Sequence, residues 1–190
     1  MLVLASGSPY RRELLSRLKL PFQVAPPDVD ESPRPGESPV DTCLRLAEDK
    51  ARKVAERWPN ALIIGSDQVA TLKGEVIGKP GGHEMALRQL RQASGQDMTF
   101  HTSLCLLNAM TGHLQTECVN VKVRYRSLSE AQIERYLQLD QPYDCAGSGR
   151  IETLGITLVE WVQSDDPTAL IGLPLITLTT LLQREGIQLP

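Results

Sequence analysis

The sequence predicts an α/β fold built on a mixed, bent β-sheet flanked by helices. Three observations carry this. Some segments, such as Ala61-Leu62-Ile63-Ile64-Gly65, are apolar throughout, as in strands covered on both faces. Others place apolar residues at helical spacing. Still others pair across short turns as hairpins, so helices and strands do not simply alternate, and the sheet is expected to be mixed and bent over a cleft. With 190 residues, 41% hydrophobic and 23% charged, the chain suits one globular domain, or two close-packed lobes, with a core of its own.

In chain order, Met1-Leu2-Val3-Leu4-Ala5 is the first strand. Ser8 then caps a helix with Pro9 at its first position and with Leu14, Leu15 and Leu18 on one stripe. Ser38-Pro39 opens a second helix in the same way, its stripe running from Val40 through Cys43, Leu44, Ala47, Ala51, Val54 and Ala55 to about Arg57. The apolar run 61–65 is a buried strand that delivers Ser66-Asp67-Gln68 at its carboxyl end. Lys73-Gly74 turns a hairpin between residues 69–72 and 75–77. Ala86, Leu87, Leu90 and Ala93 mark a helix ending near Gly95. Two long strands follow between Met98 and Arg126, turning at Met110-Thr111-Gly112, and Ser129 with Gln132 forms the capping box of the next helix. Residues 157–162 form another strand, and 174–184 a last helix ended by Gly186.

A formal net charge of −3 gives no overall attraction to nucleic acid or an anionic membrane, so a polyanionic ligand must be held by a local cluster of cations. A small phosphorylated molecule suits that better than DNA. Four widely spaced cysteines, with no C-x-x-C pair, suggest neither a zinc site nor a disulfide framework. The apolar N-terminal run is far shorter than a signal peptide's core or a membrane span. The expected location is the cytoplasm.

Four segments carry groups suited to phosphate chemistry. In Ser6-Gly7-Ser8-Pro9-Tyr10-Arg11-Arg12, hydroxyls, helix N-terminal N–H groups and two guanidiniums meet at a strand-to-helix turn, which suits a phosphate; the plainer reading is a capped helix with a solvated basic first turn. Asp30 and Glu31 in a proline-rich loop, with Asp67 after a buried strand, supply carboxylates for a hard divalent cation, or else cap turns and face solvent. Gly78-Lys79-Pro80 presents one ammonium on a shaped turn. Lys50 lies beside the apolar stripe of its helix and either snorkels to solvent or enters a cleft. His83, His101 and His113 have no metal-ligand spacing, and Ala146-Gly147-Ser148-Gly149-Arg150 supports only a close turn beside a pocket.

Together these segments resemble the Maf family of nucleotide pyrophosphatases. The likeness rests on the opening Leu4 to Leu15, Val29-Asp30-Glu31, Lys50-Ala51, Gly65-Ser66-Asp67, Gly78-Lys79-Pro80, Cys145-Ala146-Gly147-Ser148 and Gly172-Leu173-Pro174, in that order over nearly the whole chain. The resemblance implies a single domain over 1–190, with two lobes around a deep cleft as in the inosine triphosphate pyrophosphatases. It implies hydrolysis of a nucleoside triphosphate to the monophosphate and pyrophosphate with a divalent metal cation (Mg²⁺, Mn²⁺ or Co²⁺). By carry-over, Asp67 is the catalytic carboxylate, as general base or through the metal, and Glu31 is its partner in holding the metal. Ser6, Arg11, Arg12, Lys50 and Lys79 grip the phosphates, with Arg12 and Lys79 also serving catalysis. A homodimer is suggested by family analogy alone.

Three departures from the commonest family pattern point to its 7-methyl-GTP branch: Tyr10 where many members have a third Arg, Gln68 in place of Thr, and Glu152 in place of Gln. Methylation at N7 makes the purine cationic, which an aromatic face can stack on and a carboxylate can complement at the N1 and N2 donor edge. Tyr10, Gln68 and Glu152 are therefore the expected specificity set, with Glu152 as an exposed loop residue the alternative. A pyrophosphatase for dTTP or UTP is the nearest competing function, and a non-catalytic septum-formation regulator the competing class.

Overall fold

The computed structural model describes Met1–Pro190 as seven strands and five α-helices: β1 (Leu2–Ala5), α1 (Pro9–Ser16), β2 (Phe22–Val24), α2 (Pro39–Ala55), β3 (Leu62–Leu72), β4 (Glu75–Ile77), α3 (His83–Ala93), β5 (Asp97–Asn108), β6 (Leu114–Tyr125), α4 (Glu130–Asp140), β7 (Val159–Gln163) and α5 (Leu175–Arg184). The sheet order is β2-β1-β3-β5-β6-β7, with β4 also on β3. It is mixed as predicted, since β1 runs parallel to β2 and β3 while β4 and β7 are antiparallel to β3 and β6.

By its internal contacts the chain forms two compact units, Met1–Asp67 with Thr102–Val119 and Asp166–Pro190, and Gln68–His101 with Asn120–Asp165. In the first unit the period-2 alternation of strand side chains feeds two separate cores. Leu2, Leu4, Ile64, Leu104 and Leu106 pack with Leu14 and Leu15 of α1 and Leu178, Leu181 and Leu182 of α5. Val3, Ala5, Ile63, Cys105 and Leu107 pack with Ala47, Ala51 and Val54 of α2. Both faces of these strands are covered, which is why their sequences read as unbroken apolar runs. Small residues bring α2 unusually close to β3: a Cβ on Gly65 would sit 2.0 Å from the carbonyl oxygen of Ala47.

Local chemistry sets the helix ends. Ser8 and Ser38 accept from Arg11 N–H and Asp41 N–H with Pro at the first helical position, and Ser38/Asp41 and Ser129/Gln132 are full capping boxes. Helix α5 has no cap from its own flank; instead buried Asp166 accepts the N–H groups of Ile176 and Thr177 at 2.8 and 3.1 Å. In the second unit Lys73 and Gly74, both at positive φ, close the β3–β4 hairpin. Here α3 and α4 are tied by a bidentate Arg91–Glu130 pair, and Ala86, Leu90, Ile133, Tyr136 and Leu137 are buried.

Several expectations need correction. The runs 61–65 and 69–72 are one continuous strand, so Ser66-Asp67-Gln68 sits in the middle of β3 rather than at a strand end. The buried polar residues Ser66 and Asp67 do not break the strand because their neighbours satisfy them: Ser66 Oγ donates to Gly172 O at 2.9 Å and Asp67 N–H to Ser103 Oγ at 3.2 Å. The last strand begins at Val159, two residues late, because a 3₁₀ turn over Leu154–Leu158 precedes it. Leu18 falls beyond the end of α1, in the turn that follows. Strand β2 and the short 3₁₀ turns at Ala146–Ser148 and Ala169–Ile171 are too short to leave a periodic signal.

Candidate active site

The first unit holds most of the expected site. Helix α1 starts directly after β1, and the turn between them is closed by Ser8 N–H donating to Ser6 Oγ at 3.1 Å and by Arg11 N–H donating to Ser8 Oγ at 3.3 Å. Ser6 is buried, Tyr10 half-buried and Arg12 exposed on the first helical turn. Arg11 does not extend into solvent: its Nε–H donates to Gly172 O at 2.8 Å, the same carbonyl that accepts from Ser66. Desolvation lowers its pKa, opposed by Asp67, Cys43 and Glu31, so two of its electrostatic neighbours are the expected metal-binding carboxylates.

Lys50 is the centre of the arrangement. It is only 6% exposed and does not snorkel, because the close approach of α2 to β3 at Gly65 carries its ammonium onto two carboxylates. Lys50 Nζ lies 2.6 Å from Asp67 Oδ1 and 2.7 Å from Glu31 Oε1. Asp67 is itself buried. Its backbone is fixed by residues that sequence reasoning passed over: Cys43 Sγ donates to Asp67 O at 3.3 Å, and Ser103 Oγ, which accepts Asp67 N–H, donates to Cys43 O at 2.6 Å. The available signal was a polar pair, Thr102-Ser103, directly before the apolar run Leu104 to Leu107; both are fully buried.

Glu31 comes from an exposed loop, and Arg45 of α2 holds that loop. Arg45 donates to both oxygens of Glu37, at 2.5 and 2.9 Å, to Asp49 Oδ2 at 3.1 Å and to Ser32 O, next to Glu31, at 3.0 Å. Hydrogen bonds from Arg45, then from Arg34 N–H and Thr42, hold the Glu37 carboxyl down to about 2. A folded-state value below the ordinary one contributes stability above the unfolded value, and that contribution is lost as pH falls toward the folded one. Denaturant unfolding from about pH 5 down to about pH 2 is therefore expected to show a steeper loss for the wild type than for Glu37→Gln; equal slopes would remove Glu37 from the acid response.

The second unit holds the remaining residues. Lys79 is exposed on the turn after β4, where Gly78 O accepts from Gln89 Nε2 at 3.1 Å and from Gly147 N–H at 3.4 Å. Gln68 is half-buried, and strand alternation turns its side chain to the Ser66 face, opposite Asp67. Glu152 is solvent-exposed in the loop before the 3₁₀ turn. Partial desolvation, with Asp140 and Asp144, pushes its carboxyl above the ordinary value against the pull of Arg150. Arg150 ties the loop down through Asp140 O and Asp144 Oδ1, both at 3.0 Å.

The donors fit a hard divalent cation. Two carboxylates, those of Asp67 and Glu31, meet at the Lys50 ammonium, and no group of three or more His, Cys, Asp and Glu side chains forms a closed cage. Magnesium is commonly held in that way, by one or two carboxylates with water and substrate phosphate oxygens completing the shell. The histidines are engaged elsewhere, His83 with Tyr143 and Glu134 and His113 with Glu185. No helix is long and apolar enough to cross a membrane.

Comparison with known proteins shows the family. A protein of Methylobacillus flagellatus named 7-methyl-GTP pyrophosphatase is 57% identical over 186 residues, 98% of this chain and 97% of that protein. One of Nitrosococcus oceani with the same name is 57% identical over 185 residues, covering 97% and 93%. One of Pseudomonas fluorescens, also so named, is 55% identical over 189 residues, covering 100% and 98%. The family model described as Maf-like protein matches residues 1–185, and this chain therefore belongs to the Maf family.

Proposed function

We propose that this protein hydrolyses 7-methyl-GTP to 7-methyl-GMP and pyrophosphate, by attack of water on the α-phosphorus. The observation that carries the chemistry is the convergence of Lys50, Asp67 and Glu31, with Arg11 in the same electrostatic neighbourhood, in a member of the Maf family whose relatives above half identity are named for this substrate. A polyanion needs cations to bind and charge neutralisation to react, and this set provides both without a covalent nucleophile.

In this reading Ser6 and the first turn of α1, with Arg11 and Arg12, hold phosphate oxygens, and Lys79 adds a further ammonium. Lys50 pairs with both Asp67 and Glu31 and so positions the two carboxylates that a divalent cation or a water proton would engage. Bound there, Mg²⁺, Mn²⁺ or Co²⁺ would neutralise phosphate charge and lower the pKa of a coordinated water. Asp67 is the catalytic carboxylate, either taking the proton of the attacking water or acting as ligand. Tyr10 stacks on the cationic base, Glu152 accepts from its N1 and N2 edge, and Gln68 shapes the pocket. Four cysteines without a disulfide suit the reducing cytoplasm.

The test is pyrophosphate release with Mg²⁺ or Mn²⁺ across 7-methyl-GTP, GTP, dTTP, UTP and ITP. Preference for 7-methyl-GTP, reduced by Glu152→Gln, is expected. Preference for a pyrimidine would keep the chemistry and overturn the base-reading residues, and silence on all five would return the chain to a regulatory role.

A further inference from the structure

The proposed phosphate cation Lys79 and the proposed base reader Glu152 lie 73 residues apart in sequence, yet one buried side chain touches both of the segments that carry them. Gln89, on α3, is 7% exposed. Its Nε2 donates to Gly78 O at 3.1 Å, fixing the turn that presents Lys79, and its Oε1 accepts from Ser148 Oγ at 2.5 Å, fixing the loop that leads to Glu152. A carbonyl can only accept, so the Gly78 contact sets the orientation of the amide and leaves its oxygen for the hydroxyl.

The Ser148 loop needs such a restraint. Ser148 is fully buried at φ +57, and Gly147 before it is at φ +71, where a Cβ would meet Met98 Sδ at 2.6 Å. Two successive left-handed residues, one of them not glycine, persist only where surrounding contacts determine them. Tyr136 OH adds one by accepting Arg150 N–H at 3.0 Å.

We propose that Gln89 is a positioning residue that holds the Lys79 turn and the Ser148–Glu152 loop in one fixed relation, so that phosphate grip and base selection act on the same bound nucleotide. The inference rests on the function proposed above for its catalytic consequence, and on the Gln89 contacts alone for its structural one. Its two hydrogen bonds have separable roles. The bond to Gly78 governs Lys79, and hence kcat; the bond to Ser148 governs the loop of Glu152, and hence preference among bases.

The experiment compares Gln89→Leu, Gln89→Glu and Ser148→Ala with the wild type in kcat, KM and the preference for 7-methyl-GTP over UTP, alongside hydrogen exchange of the segments around Gly78 and Ser148. Gln89→Leu should lower kcat/KM by about 10- to 100-fold and reduce the preference by about 10-fold, the scale on which small displacements of binding groups act. Gln89→Glu, which keeps an acceptor for Ser148 but loses the donor to Gly78, should lower kcat and keep the preference. Ser148→Ala should do the reverse. Exchange should rise in both segments of Gln89→Leu.

Unchanged preference and kcat in a folded Gln89→Leu protein would overturn the proposal even if its Tm fell, since a purely structural residue would give that result. If the wild type turns over no nucleoside triphosphate, the functional reading fails while exchange still decides the tie: faster exchange in both segments keeps it, and faster exchange in neither or only one removes it.

Discussion

Replacing Asp67 by Asn should lower kcat by about 10³-fold while leaving a folded protein, the scale expected for loss of a positioned acid–base group or of charge stabilisation in the transition state. Asn is nearly isosteric, and its carbonyl oxygen can still accept from Lys50 Nζ, which lies 2.6 Å from Asp67 Oδ1. The backbone bonds to Ser103 and Cys43 do not involve the carboxylate and should persist. What disappears is the negative charge. Removing one partner of a buried ion pair commonly costs about 3–5 kcal/mol, but Glu31, 2.7 Å from the same ammonium, remains, so the loss of stability should be smaller. Turnover with Mg²⁺ and direct Mn²⁺ binding, measured together, separate the two roles of Asp67. Lost turnover with retained Mn²⁺ affinity assigns a general base, and loss of both assigns a ligand. Full turnover in this variant would sink the proposed active site.

The largest expected effect on stability comes from a residue with no side chain. Gly65→Ala places a Cβ 2.0 Å from Ala47 O, 3.0 Å from Ala47 C and 3.2 Å from the Ala51 Cβ. The obstacle is helix backbone, which cannot rotate aside, so α2 must move away from β3. Overpacking of this kind costs about 3 kcal/mol, occasionally more. At roughly 2–4 °C per kcal/mol for a chain of this size, Tm should fall by about 6–12 °C. Activity should fall further than stability, because Lys50 is on α2 and its distances to Asp67 and Glu31 depend on how closely the helix approaches. Scanning calorimetry with activity measured well below the transition tests this. A variant with wild-type Tm would show that α2 moves at little cost, and normal activity at low temperature would uncouple the approach of α2 from the site.

Legibility in the sequence followed the range of the interactions. All five α-helices and the hairpins were readable because capping, hydrophobic period and turn chemistry act over a few residues; Ser8-Pro9, Ser38 with Asp41 and Ser129 with Gln132 behave as local rules require. The identities of Glu31, Lys50 and Asp67 were also legible, but only through their family pattern. Lys50 taken singly had a solvent-directed alternative, since a helical wheel gives an angle and not what stands opposite it.

Tertiary structure decided the rest. Asp67 was expected at a strand end because Ser66-Asp67-Gln68 interrupts an apolar run; it lies within β3, where Gly172 accepts from Ser66, and Ser103 and Lys50, 36 and 17 residues from Asp67, satisfy its backbone and its carboxylate. Arg45 and Gln89 are polar residues of helices α2 and α3, outside the apolar stripes that the sequence shows. Each is buried or half-buried against a loop whose own sequence has no periodic signal, and each restrains that loop through carbonyls that every residue type presents. Composition and spacing thus determined which chemistry the chain carries. Which charges meet, and what holds them there, was decided by long-range hydrogen bonds to backbone groups, which leave no mark in the sequence that presents them.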